Sequence, residues 1–299
     1  MLGARQVNDL AGLIINRMGR IDKIKKNPIY TFNPVILNFI MMKLKIFYAF
    51  LFAITYSTYA QQYQPVKVLP NTFFQDGEEL IYQLRYGFIV GGKVTLQLND
   101  KNGLFHVKGT AITTGIADKL FSVKDVYESY FNKETNLPVF AIQNVKEGKT
   151  YKYYNEMIFN RNNNTVTTTK SGEHNVPEDI TDMMAVFYQI RRLDMNNIKE
   201  GDIFKINTFF QDKLFPFELR YRGKEVIETP VGKIKCFKFA PIVEPGRVFK
   251  SKDDMYIWFT DDDNRIPILV SMEMLIGHVY CELIEYKNLK YLPAFIKKQ

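Results

Sequence analysis

From about Phe73 onward the chain alternates apolar or aromatic positions with polar ones at a period of two, and short clusters of turn residues cut the runs. In the first half this predicts strands at residues 79–86, 93–98, 104–113, 126–131, 139–145, 150–159 and 165–169. Gly91-Gly92, Asn102-Gly103, Glu147-Gly148 and Asn162-Asn163-Asn164 supply the turns. The second half predicts strands at 203–210, 216–221, 225–229, 233–239, 255–260, 266–274 and 279–286, with Asp261 to Asn264 as a hairpin connection. Turns spaced roughly 10 to 12 residues apart describe an antiparallel meander.

One segment breaks the rhythm. Residues 182–195 put Met183, Phe187 and Ile190 on one helical stripe with Met184 and Tyr188 beside it, and Thr181 or Asp179 is placed to cap the first turn. This is the one long helix expected; a short helical turn around Ala117 to Phe121 is the other candidate. The fold class is mainly β: a large curved antiparallel sheet or incomplete barrel with a single helix, about 182–195, packed on it. A single domain over 73–286 is expected, preceded by a polar segment at 61–72 and followed by a tail at 287–299. Its halves echo each other, because Asn71-Thr72-Phe73-Phe74-Gln75-Asp76 recurs as Asn207-Thr208-Phe209-Phe210-Gln211-Asp212. Leu84-Arg85-Tyr86 and Leu219-Arg220-Tyr221 follow at nearly the same offset. Duplication and coincidence both stay open at this level.

The apolar run Ile46 to Tyr56 is of a different kind. It follows the basic Met42-Lys43-Leu44-Lys45 and precedes Ser57-Thr58-Tyr59-Ala60, with small residues at Thr58 and Ala60 where a signal peptidase needs them. Residues 42–60 are therefore read as a cleaved secretory signal peptide, too short for a spanning helix of about 20 residues. Because such a signal works at an N-terminus, residues 1–41 are expected to lie upstream of the native start. Gln61 offers no cysteine for a lipoprotein anchor, so the expected location is the periplasm of a Gram-negative bacterium, with no transmembrane helix in the mature chain.

Removing the leader changes the charge. The whole chain carries 40 Lys and Arg against 32 Asp and Glu, a net of +8. The first sixty residues hold eight of those cations and two of the acids, so the mature chain is close to neutral, about +2. No basic run remains that would follow a phosphate backbone, which argues against a nucleic-acid partner. Two cysteines remain, Cys236 and Cys281, each in an alternating strand-like run; an oxidising compartment allows them to pair, and two buried free thiols are the alternative.

No catalytic signature stands out. His106, His174 and His278 are isolated in sequence, and no HExxH pair, GxSxG elbow or Walker loop occurs. Gly91-Gly92-Lys93 leads from strand to strand, and the contiguous acids Asp261-Asp262-Asp263 lack the spacing of a calcium loop. No metal or cofactor is expected. The informative signal is aromatic: Phe, Tyr and Trp make up 14% of the chain and concentrate in the strands. Such rings fill a large β core, and in a curved sheet they also line a ligand cavity.

Several ordered motifs resemble a bacterial envelope family, the domain of unknown function 3108. They are Phe74-Gln75-Asp76-Gly77-Glu78-Glu79-Leu80-Ile81-Tyr82 with Tyr86-Gly87 and Gly91-Gly92-Lys93-Val94, then Asp182 to Arg191, Glu228 to Cys236, and Trp258 to Pro267. The likeness spans roughly 73–286. It implies an exported, β-rich protein of unsettled activity and transfers no catalytic residue. A looser, fold-level analogy is to the half-barrel lipoprotein carriers of the periplasm.

The leading expectation is an exported, non-catalytic envelope protein that binds a lipid or other apolar ligand in a β-sheet cavity lined by Met183, Met184, Phe187, Tyr188 and Trp258. One alternative is an envelope glycan-acting enzyme using a carboxylate pair, for which Glu128, Glu156 and Asp182 are available. The other is a structural or assembly partner in the envelope.

Overall fold

The computed structural model describes residues 63–64, 66–242, 251, 254–274 and 277–296. The expected upstream segment, 1–41, and the expected signal peptide, 42–60, lie outside the described residues. Within them, fifteen strands form one sheet. In chain order these are β1 (Tyr63–Gln64), β2 (Glu79–Tyr86), β3 (Ile89–Lys101), β4 (Leu104–Thr113), β5 (Lys124–Asn132), β6 (Pro138–Glu147), β7 (Tyr151–Asn160), β8 (Thr165–Thr168) and β9 (Gly172–Asn175). The second half adds β10 (Ile203–Phe210), β11 (Lys213–Thr229), β12 (Gly232–Pro241), β13 (Met255–Thr260), β14 (Pro267–Met274) and β15 (Gly277–Lys287). Two short helices are described, α1 (Gly115–Leu120) and α2 (Ala185–Arg191).

The spatial order is β1-β10-β11-β12-β13-β14-β15-β2-β3-β4-β5-β6-β7-β8-β9, and among the described strands the sheet does not close on itself. All pairs except β1 with β10 are antiparallel. The two halves of the chain are thus consecutive meanders joined where β15 lies against β2, Leu283 opposite Tyr82 and Cys281 opposite Leu84. The outer edge of β10 is partly covered, by β1 at Ile203 and Phe204 and by a parallel bridge from Thr181 to Thr208.

The predicted helix is shorter than the pattern suggested, and the reason lies on both sides of it. Thr181 is claimed by β10, donating its N–H to Asn207 O and accepting from Phe209 N, so the chain stays extended there. Asp182, not Thr181 or Asp179, then turns the chain: its Oδ1 accepts the N–H groups of Met184 (2.7 Å) and Ala185 (3.0 Å). After Arg191 the chain is extended again, Leu193 bridging Val68. Residues 216–221 and 225–229 are one strand, β11, because a bulge between Tyr221 and Lys224 absorbs the interruption at Gly223, whose φ is +90°. β9, Gly-Glu-His-Asn, carries no apolar alternation and escaped the pattern. The echoed hexapeptide adopts two conformations: Asn207–Phe210 is strand, whereas Asn71–Asp76 is irregular chain ahead of β2.

Hairpins alternate between the two ends of the sheet, which makes the ends chemically distinct. At one end lie the β3–β4, β5–β6, β7–β8, β11–β12 and β13–β14 turns, the start of β2 and the chain after β15. At the other lie the β2–β3, β6–β7, β10–β11 and β14–β15 tips and α1. α2 packs against the inner face nearer the first end, with Ala185 and Tyr188 in a cluster with Phe73, Phe74, Leu98, Phe105, Val107 and Phe131.

Candidate functional site

Two side-chain groups on the inner face carry the unusual chemistry. The first closes the end toward which α2 points. Arg191, fully buried at the last turn of α2, forms a fork with Glu78, Nη1 to Oε1 at 2.5 Å and Nη2 to Oε2 at 2.8 Å. Its remaining N–H groups donate to Asn264 O and Phe73 O, and the guanidinium stacks over Phe74 (4.9 Å) and Tyr188 (5.3 Å). Arg192 donates to Leu69 O and Glu134 O, and Arg265 to Arg191 O and Leu193 O, so the last carbonyls of α2 meet a cation. Asn264 exchanges two hydrogen bonds with Tyr291, stapling the tail to the same hub. Each nitrogen of the Arg191 guanidinium and each carboxylate oxygen of Glu78 has a partner, the condition under which a buried pair is tolerated.

The second group lies farther along the same wall, toward the α1 end. By register, Asp125, Tyr127 and Ser129 of β5 share a face with Val145 and Gln143 of β6. The bridge of Val123 with Glu147 places Glu147 diagonally next to Asp125, and Tyr151 stands directly opposite Glu147 on β7. Both acids are buried, Asp125 fully and Glu147 with 2% of its surface exposed. Asp125 Oδ1 accepts the Lys146 N–H at 3.0 Å, but Asp125 Oδ2 and both Glu147 oxygens have no hydrogen-bond partner. Burial pushes the Asp125 carboxyl up to about 7. Burial, with the neighbouring Asp125 adding to it, pushes Glu147 up to about 8. Tyr127 leads from these acids to an apolar contact of Met183 with Phe210, against which Tyr127 and Phe215 pack.

The sequence-derived site residues are thereby divided. Met183 sits in that contact, ahead of α2 rather than on it. Met184 and Tyr188 belong to the packed cluster around α2; Met184 Sδ is so close to Gly109 that a Cβ there would come within 2.9 Å of it, and Tyr188 makes an edge contact with Phe74 at 4.9 Å. Phe187 is half-buried on the same helix. Trp258 does not join them: it lies on β13, its Nε1 donating to Glu225 and Lys238 lying over its ring at 5.2 Å. The two cysteines are free thiols, and the pairing considered from sequence is not formed. Both lie in the same apolar cluster, Cys281 packing against the group that holds Cys236. Burial pushes both thiols up to about 12.

The profile of the family described as "Protein of unknown function (DUF3108)" matches residues 81–284. The chain belongs to this family. No curated protein matches the chain. Among solved structures, this DUF3108 chain is similar to a β-barrel-like protein of domain of unknown function DUF1849 from Brucella abortus, at 9% identity and a TM-score of 0.48, covering 75% of this chain and 99% of that one. It is also similar to a hypothetical protein from Chlamydia trachomatis, at 10% identity and 0.34, covering 75% and 93%. A putative exported protein with a YmcC-like fold from Bacteroides fragilis matches at 10% and 0.32, covering 75% and 100%.

Of the carboxylates singled out in the DUF3108 sequence, Glu128 accepts from His106 Nε2 at 2.7 Å on the face opposite Asp125, and Glu156 takes the Tyr154 hydroxyl. Asp182 is buried, with Ser129 Oγ donating to it at 2.5 Å, and burial pushes its carboxyl up. The acids that lie together, Asp125 and Glu147, were not singled out. The available signal was parity, since Asp125, Tyr127, Ser129 and Phe131 fall on one face; Val126, Glu128 and Tyr130 on the other face read just as well. In the Asp261–Asp263 turn, Asp262 Oδ1 accepts from Thr260 Oγ1 and from the N–H groups of Asn264 and Arg265, a turn staple. Among the described residues no group of three or more His, Cys, Asp or Glu side chains is placed to hold a metal ion.

Proposed function

We propose that this DUF3108 protein is an exported, non-catalytic protein of the cell envelope that holds an amphiphile against the inner face of its sheet. The observation that supports this reading is the placement of unpartnered buried oxygens, Asp125 Oδ2 and both of Glu147, on one wall with the apolar contact of Tyr127, Met183, Phe210 and Phe215. A polar group left buried without a partner costs stability, so the fold keeps this pair at a cost that a ligand head group offsets. With values of about 7 and about 8, the pair retains at least part of its protons at neutral pH and both donates and accepts hydrogen bonds. That chemistry suits a hydroxyl or ammonium head, with the apolar part against Met183 and the rings.

Export follows from the leader at residues 42–60, with cleavage after Ala60 and release into the periplasm as a protein without a lipid anchor. The test is native mass spectrometry of protein recovered from the periplasm of a bacterial host expressing the full chain, with organic extraction of whatever co-purifies. A bound lipid-like mass, lost in Met183→Glu and on an N-terminus at Gln61, is the expected result. A clean apo mass that persists after incubation with envelope lipids overturns the reading.

The carboxylate pair also supports a second reading, turnover of an envelope glycan, because two neighbouring acids with raised values are the material of acid and base catalysis. Hydrolysis of peptidoglycan fragments, abolished by Glu147→Gln in a folded protein, would establish it over the carrier reading.

A further inference from the structure

The β2–β3 hairpin turns through Gly87 and Phe88, with Tyr86 opposite Ile89. A two-residue turn of this kind calls for glycine or a small polar residue, and Gly87 supplies the positive φ, +55°. Nothing in the turn calls for phenylalanine, yet Phe88 stands there 93% exposed, followed by Ile89 and Val90, 43% and 48% exposed. The patch continues onto α1: Thr114 N donates to Gly91 O, tying the helix start to this hairpin, and Ile116 is 72% exposed. α1 buries a single residue, Ala117, so Ile116 serves no packing role. Four large apolar side chains at adjoining tips form a patch that folding does not account for.

The exposed charges beside the patch are mostly lysines. Lys119 and Lys124 flank it, and Lys146, Lys149 and Lys152 follow on the β6–β7 hairpin, all exposed. That hairpin is joined to the end of α1 by Gly148 N donating to Ser122 O and by the Phe121 ring lying over Gly148. The exposed acid here is Asp118, which accepts from Thr113 Oγ1. Asp125 and Glu147 are buried and their carboxyls are pushed up to about 7 and about 8, so they balance the lysines only in part. We propose that this end of the molecule is a docking surface for an anionic bilayer: Phe88, Ile89, Val90 and Ile116 enter the interface and the lysines meet the head groups. Insertion of apolar tips combined with attraction of lysines to acidic lipids is how proteins lie on membranes without spanning them. A protein partner with an acidic surface would not account for four apolar side chains on protruding tips, and a second copy would bring like charges together.

The test is flotation of the protein recovered from the periplasm with vesicles of phosphatidylcholine alone, and of phosphatidylcholine with about one-third phosphatidylglycerol. Wild type floats with the anionic vesicles, and release by salt follows. Phe88→Glu with Ile116→Glu reduces the floated fraction at least about tenfold, and Lys119→Glu with Lys124→Glu reduces it by a smaller factor. An unchanged melting temperature in both pairs certifies that the fold is intact. Wild type left at the bottom of both gradients, equal flotation with both vesicles, or undiminished flotation of the Phe88/Ile116 pair overturns the proposal. So does a concentration-dependent dimer abolished by Phe88→Glu, which would mean a second copy covers the patch. The ligand-bound mass is a separate readout, so this proposal and the carrier reading can fail independently.

Discussion

The two ends of the sheet solve the same problem in opposite ways. At the α2 end the charges around the helix are paired, Arg191 with Glu78 and two carbonyls, Arg192 and Arg265 with main-chain oxygens, and Asn264 ties in the tail, while the neutral Tyr188 Oη and Gln189 Oε1 of α2 are left without a partner. At the α1 end, buried acids lack partners and apolar side chains stand in solvent. Paired charge at one end, and unpaired acids with exposed apolar tips at the other, separate the part of the molecule that holds the fold from the part that has an interaction still to make.

The largest effect should come from the satisfied end. Arg191→Met strands Glu78 in an apolar site and should cost about 3–5 kcal/mol in chemical denaturation. Adding Glu78→Leu should recover most of that loss, and a double mutant no better than Arg191→Met would show that the pair is not the stabilising unit. Next is the unsatisfied end. Asp125 and Glu147 keep protons in the folded chain up to about 7 and 8, while the unfolded chain releases them near about 4. Stability should therefore fall as pH rises from about 4 to about 8, and Asp125→Asn with Glu147→Gln should flatten the fall, so that the double variant is the more stable protein at pH 8. A smaller loss, about 1–2 kcal/mol, is expected from Gly109→Ala, whose Cβ would meet Met184 Sδ at 2.9 Å, where the first turn of α2 touches the wall. The smallest is Phe88→Ser, expected within about 0.5 kcal/mol of wild type because the side chain packs on nothing. Adding reductant should leave the melting temperature unchanged, since Cys236 and Cys281 are free.

The strands were legible because alternation and turn chemistry are local. β2, β4, β10 and β13 match the expected bounds, and most others differ only at their ends. What escaped was set by distant parts of the chain. The helix lost Thr181 to β10 and Leu193 to Val68, and no local propensity encodes either partner. The family motif around Glu78 and the one ending at Arg191 could be quoted without showing that they form one ion pair across 113 residues. Asp125 and Glu147 were hidden because β5 carries an acid and a tyrosine on each face, so parity alone could not say which acid points inward. The exposed tip is masked in the sequence for a simpler reason: Gly91-Gly92 carries the stronger turn signal, but the chain reverses at Gly87 and Phe88.

One consequence follows from β15 lying against β2. The last strand made fills the place beside an early one, so as the chain emerges during synthesis the edge of β2 waits for almost the whole remaining length before its partner arrives. That edge carries Leu80, Ile81 and Tyr82, an apolar template for wrong partners during the interval. The nascent protein therefore needs a chaperone, or speed, until Lys287 is released. A circular permutant that began at β10 and ended at β9 would bring β15 and β2 close in the chain and shorten that wait, leaving only β1, which pairs with β10, out of order.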